Sequence, residues 1–176
     1  MRTKGEKIIY LFAVSIILYI LLSGCSGTDS RKRELLIELN SLADIKDFDD
    51  ITVSIHWINP RITLRAPLSR EAIVTRGDNE IQLKGNELEG KLDWFNKIKS
   101  KDIVVIDEEM WVNARFYVVI NSNEDGNLLD LVMFGGWDYF IINDVVIERN
   151  DAIVDALIPL LDEKSYITLE EYRNWH

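Results

Sequence analysis

Apolar positions recur at two different spacings along this chain, and the changes of spacing mark out its elements. Leu35, Leu36, Leu39, Leu42 and Ala43 repeat every three or four residues, with Glu34, Glu38 and Asn40 between them, which predicts a helix beginning at Arg31. Asp44 to Asp50 interrupts that pattern. Ile51, Val53, Ile55 and Trp57 then alternate with Thr52, Ser54 and His56, the period of a half-buried strand. Beyond the Asn59-Pro60 turn, Ile62, Leu64 and Ala66 alternate with Arg61, Thr63 and Arg65, which predicts a second strand able to fold back on the first.

Further along, Ser69 is suited to start a short helix ending at Gly77, and Glu80 to Lys84 reads as a strand. Asn86 and Glu89 have capping spacing before Leu88, Leu92, Phe95 and Ile98, the apolar stripe of a second helix. Residues 111 to 148 hold four β-branched and aromatic runs separated by turn chemistry at Asn121 to Asn127, Gly135-Gly136 and Asn143-Asp144, which predicts an antiparallel meander. In its first run Ala114, Phe116, Val118 and Ile120 share a face. Asn150 or Asp151 caps a helix with Ile153, Val154, Leu157 and Leu161 on its stripe, which Pro159 kinks or ends. Thr168 with Glu171 predicts a last short helix. The sum is an α+β domain: a mainly antiparallel sheet, made of an N-terminal strand pair and a C-terminal four-strand meander, covered by two or three helices.

The first 24 residues follow neither pattern. Arg2, Lys4 and Lys7 precede an uncharged run from Ile8 to Leu22, which is shorter than the roughly 20 apolar residues of a comfortable membrane span. That order is the order of a secretion signal. Leu22-Ser23-Gly24-Cys25 follows it and resembles the lipobox of bacterial lipoproteins; the likeness is confined to these N-terminal 25 residues. It implies cleavage before Cys25, a diacylglyceryl group on the Cys25 sulfur as lipid anchor, and a protein held on the extracytoplasmic face of the cell membrane. Two acyl chains are what stable attachment requires. The expected organisation is a signal peptide over 1–24, the lipidated cysteine with a flexible tether over 25–30, and one globular domain over 31–176.

Charge and cysteine count narrow the partners. Without the signal the chain carries 17 Lys and Arg against 29 Asp and Glu, a net charge of −12. So acidic a domain is repelled by nucleic acid and by anionic head groups, and favours cationic partners. Cys25 is the only cysteine, so no intramolecular disulfide supports the fold.

Candidate chemistry is sparse. With two histidines, His56 and His176, and no cysteine beyond the anchor, the usual zinc sets and Cys-His pairs cannot be assembled, and no cofactor or metal is expected. No G-x-S-x-G elbow supports a Ser-His-Asp triad on His56. Asn121, Asn123, Asp125 and Gly126 imitate the opening of a calcium loop, but Val132 stands where a bidentate Glu is needed, so a hairpin turn is the expectation. Asp107-Glu108-Glu109 reads as a solvated acidic corner. Of five tryptophans, Trp57 and Trp94 are expected in the core, and Trp111, Trp137 and Trp175 at freer element ends.

If the strands over 51–58 and 61–66 pair, His56, Arg61 and Arg65 share one exposed face beside Thr52, Ser54 and Thr63. That face is the candidate binding surface, for an unknown protein or small molecule of the envelope. The functional expectation is a membrane-anchored binding or interaction domain rather than an enzyme. The alternatives are a small envelope enzyme using paired carboxylates, for which 29 acids supply too many pairs to single one out, and a protective or inhibitory lipoprotein.

Overall fold

The computed structural model describes residues 26–76, 79–134 and 138–174. The signal segment, Cys25, Gly77, the Gly135-Gly136 turn, Trp137, Trp175 and His176 lie outside them. Helix α1 spans Ser26–Leu42 and strand β1 Ile51–Trp57; helix α2, Arg70–Arg76, leads to β2, Asn79–Lys84. Three short 3₁₀ segments fill 85–102. Strands β3 (Phe116–Ser122), β4 (Gly126–Met133), β5 (Tyr139–Ile142) and β6 (Val145–Glu148) follow, then helix α3 (Asp151–Leu157), a 3₁₀ turn at Ile158–Leu160 and helix α4 (Glu163–Arg173). The strands form one antiparallel sheet in the order β2-β1-β3-β4-β5-β6, so the chain is α+β as its patterning predicts.

One sheet face carries the main core. Val53, Ile55, Phe116, Val118, Ile120, Leu131, Phe140 and Ile147 meet Leu35 and Leu39 of α1, Ile153 and Leu157 of α3, and Leu169 and Tyr172 of α4. The other face carries a smaller apolar cluster, in which Tyr117, Val132, Tyr139 and Ile141 lie under Ile58, Leu68, Ile73 and Ala114 from the connections. Ala114 thus sits with the second cluster, apart from Phe116, Val118 and Ile120, because the chain enters β3 only at Phe116.

The two meander turns that lie among the described residues match their chemistry. Asn143 and Asp144 take φ values of 47° and 62°, the left-handed pair that closes a two-residue hairpin with the twist of its strands. The calcium-like stretch is the β3–β4 hairpin, where the Ser122 hydroxyl accepts from the amides of Glu124 and Asp125 and donates to Asp50 at 2.6 Å. Asn150 caps α3 by accepting from the Ile153 amide, and the helix stops at Leu157, before Pro159.

Four expectations are corrected. Ser26 to Ser30 is not a tether but the beginning of α1: Asp29 lies in its first turn, where an acid complements the helix dipole, and Ser30 bonds Glu34 at 2.9 Å. The stripe Leu88, Leu92, Phe95 and Ile98 is buried as expected, but the first three lie in 3₁₀ segments and Ile98 in extended backbone just past one, instead of in one α-helix. Gly90 at φ 72° breaks the chain between them, and the three-residue spacing of the last three positions suits a 3₁₀ period. The last helix begins at Glu163, capped by Asp162, five residues ahead of Thr168. Trp94 is 36% exposed, with the Lys97 ammonium over its ring, while Trp57 is buried.

A further correction is the hairpin itself. Residues 61–66 form no strand; β1 pairs instead with β2 on one side and β3 on the other. The turn takes up the amides that a ladder would need: Arg61 donates to the Asn59 side chain and Ile62 to the Asn59 carbonyl. Pro60 and Pro67 bracket the run and lack donors.

Candidate functional site

With the hairpin gone, the three residues expected to share a face are dispersed. His56 is 6% exposed on the second sheet face, its ring 6.4 Å from that of Tyr117 and its Nε2 4.0 Å from Glu80. Burial lowers its pKa more than the Glu80 carboxylate raises it, so it is held neutral rather than poised to add charge. Arg61 is exposed and paired with Glu171 of α4 at 3.1 Å. Arg65 is exposed on the connection.

The second face instead assembles a row of polar side chains that runs from β2 to the β5–β6 turn. Glu80 lies beside His56, His56 beside Tyr117, and the Tyr117 hydroxyl donates to Asp130 at 2.7 Å. Arg70, from the first turn of α2, donates to Asp130 at 2.7 Å and to Asp144 at 2.8 Å. Asn143 completes the row by accepting from the Asp130 amide at 2.8 Å. Burial chiefly, then the Asp130 hydrogen bond and charge, push the Tyr117 phenol far above its ordinary pKa, so it stays a donor. Burial opposes the charge of Arg70, but Asp130 and Asp144 outweigh it and the pKa rises. The row therefore holds fixed charges and a fixed donor, each partnered by another. Its sequence signal is Asp130, a lone acid inside the apolar run Leu128 to Phe134.

Arg70 and Asp144 also border a groove of about 400 Å³ lined by Arg31, Asp107, Glu109 and Met110. Arg31 is tied across it to Asp107 at 2.6 Å, so the acidic corner is solvated on one side and bridged to α1 on the other. A larger depression of about 660 Å³ lies between the end of α1 and the β3–β4 hairpin, with Glu38, Asp47, Asp49, Asp50, Glu124 and Asp125 on its walls and no basic side chain. Among the described residues, no group of three or more His, Cys, Asp or Glu is arranged to hold a metal ion.

Trp111, 80% exposed, is the freest aromatic among the described residues, while its backbone carbonyl accepts from the Tyr139 hydroxyl at 2.7 Å. Among those residues no helix is long and apolar enough to cross a membrane. No family model, no curated protein and no solved structure matches this chain.

Proposed function

We propose that this chain is a bacterial lipoprotein, anchored on the extracytoplasmic face of the cell membrane through lipid on Cys25, whose α+β domain works by binding a partner. The observation that carries the reading is the order basic flank, uncharged apolar run, Leu22-Ser23-Gly24-Cys25. The start of α1 at Ser26 adds a mechanical consequence: the anchor leads directly into the fold, so the domain stays close to the bilayer. Binding is favoured by surface chemistry, since the titratable groups of the second face are held by one another while the acidic depression beside α1 is open. Its charge and the net −12 of the mature chain make a cationic partner the electrostatically preferred one.

Labelling cells with a fatty-acid analogue tests the anchor. The wild-type chain takes up label, and Cys25→Ala takes up none and is retained as uncleaved precursor, because no other thiol is present. Equal label on both chains would refute the reading.

A further inference from the structure

The two edges of the sheet are treated differently. Beyond β6 the chain segment at 104–106 closes the edge: Val105 bridges Ile147, the Ile106 amide donates to Val146 and the Glu148 amide to Val104. Beyond β2 no described strand lies, and β2 has β1 as its one neighbour in the sheet. An open edge is a template for another strand, and proteins usually blunt it with proline, a bulge or charged side chains. β2 has no proline and no bulge, and its two charges, Glu80 and Lys84, are of opposite sign.

The direction of its free backbone groups follows from one hydrogen bond. The Lys84 amide donates to the Glu87 carboxylate at 3.0 Å, so it points away from β1. In an antiparallel ladder alternate residues point the same way, so Glu80 and Gln82 also turn their N–H and C=O outward, while Ile81 and Leu83 bond β1.

The sequence of this edge is complementary to itself about Gln82. When a second copy approaches antiparallel with the two-fold axis at Gln82, that residue meets its own copy as a hydrogen-bonded pair, the geometry its outward groups require. Glu80 then faces Lys84 of the other copy, twice, with opposite charges. Ile81 faces Leu83, twice, on the core side, where both are only partly covered in the single chain. The charged side chains lie on the opposite face with Gln82. Displacing the register by one residue would set Glu80 against Leu83 and Lys84 against Asn79, losing both the ionic and the apolar pairs.

We infer that β2 is a homodimerisation edge, joining two copies of this chain through an antiparallel β2–β2 pair centred on Gln82 into one twelve-stranded sheet. The interface is isologous, as a closed two-fold dimer demands. It is also short: Gln82 supplies two backbone bonds across the axis and the Glu80 amides two more to Lys84 carbonyls, so the association is reversible and is best trapped covalently.

Gln82→Cys in the full chain provides the trap. A hydrogen-bonded antiparallel pair holds its Cα atoms about 5.5 Å apart, inside the roughly 4.4–6.8 Å that a disulfide spans. Mild oxidation should give a disulfide-linked dimer on a non-reducing gel. Val74→Cys, exposed on α2, serves as collision control, and the wild-type chain shows any contribution of Cys25. In the Gln82→Cys background, Glu80→Lys or Lys84→Glu alone puts two like-charge pairs across the axis and should lower dimer yield about tenfold; both together should restore it. Restoration also separates pairing between copies from any loss of fold in the single variants. Dimer from Gln82→Cys no more abundant than from Val74→Cys would overturn the inference, as would a double reversal that fails to recover, including the case in which β2 accepts a strand from a different protein.

Discussion

Tyr117 and Asp130 occupy diagonal positions on neighbouring strands, and the phenol of one is hydrogen-bonded to the carboxylate of the other at 2.7 Å. The direct partner of Tyr117 in the ladder is Val132. Reaching along the diagonal leaves the second Asp130 oxygen for Arg70, which draws α2 onto the sheet. A carboxylate with little solvent is thereby satisfied from two directions, by a phenol and a guanidinium, while the Asp130 amide donates separately to the Asn143 side chain.

This arrangement orders the cost of removing its members. Tyr117→Phe loses one hydrogen bond to a charged acceptor, about 2 kcal/mol. Asp130→Ala leaves the phenol without its acceptor and Arg70 with only the exposed Asp144, and should cost about 3 kcal/mol, the lower end for breaking a buried pair. Urea denaturation of both variants checks the order. A larger loss for Tyr117→Phe would mean that the hydroxyl contributes more than its bond to Asp130.

His56 makes stability depend on pH in a defined window. Its folded pKa lies below the ordinary 6.5, so above 6.5 both states are neutral there and no penalty arises. As pH falls below 6.5 the unfolded chain takes up the proton before the folded one does, and stability drops until the lower folded pKa is passed. Denaturation midpoints at pH 7.5 and 5.5 should show the fall, and His56→Gln should flatten it. An unchanged fall in the variant would place the titrating group elsewhere.

The core assignment is open to the same kind of measurement. Leu92 and Phe116 are at most 1% exposed in the main core, and Leu92→Ala and Phe116→Ala should each cost roughly 2 to 5 kcal/mol. Losses under about 0.5 kcal/mol, the range of ordinary surface changes, would show that neither side chain is packed as described.

What the sequence made legible is the apolar side of each element, because burial there is set by local period. Ile51, Val53, Ile55 and Trp57 are buried as their alternation requires, and so are Leu88, Leu92, Phe95 and Ile98 even though no α-helix carries them. Partner choice was not legible. β1 finds β2 and β3 at distances of tens of residues, whereas 61–66, equally alternating and much nearer, is diverted by the Asn59 turn and two prolines. The candidate face fell with that pairing. The polar neighbours Thr52 and Ser54 point to a solvent-facing His56, whereas the connection that packs over the second face through Ile58, Leu68 and Ile73 has no signal in a two-residue period.

A helix start supplies the last prediction, because the two roles of its cap separate with pH. Asp162 Oδ1 accepts from the Ser165 amide at 2.8 Å and from the Ser165 hydroxyl at 2.6 Å, and Ser165 is fully buried. The hydroxyl and then the amide hold the Asp162 pKa below its usual 3.8. A depressed carboxyl stabilises the fold above the unfolded pKa, and that contribution disappears as pH falls through the folded one. Asp162→Ala should cost about 1 kcal/mol at pH 7, the ordinary worth of a cap. The cost is no larger because the Ser165 hydroxyl keeps the Asp162 backbone carbonyl, 3.1 Å away, as an alternative acceptor. Asp162→Asn retains an acceptor oxygen and should lose less than Asp162→Ala, with a gap to wild type that narrows as pH is lowered below 3.8. Urea melts at pH 7 and pH 3 measure both quantities. A wild-type-to-Asn gap of the same size at the two pH values would mean that the carboxylate's charge contributes nothing at the start of α4, and that geometry alone caps it.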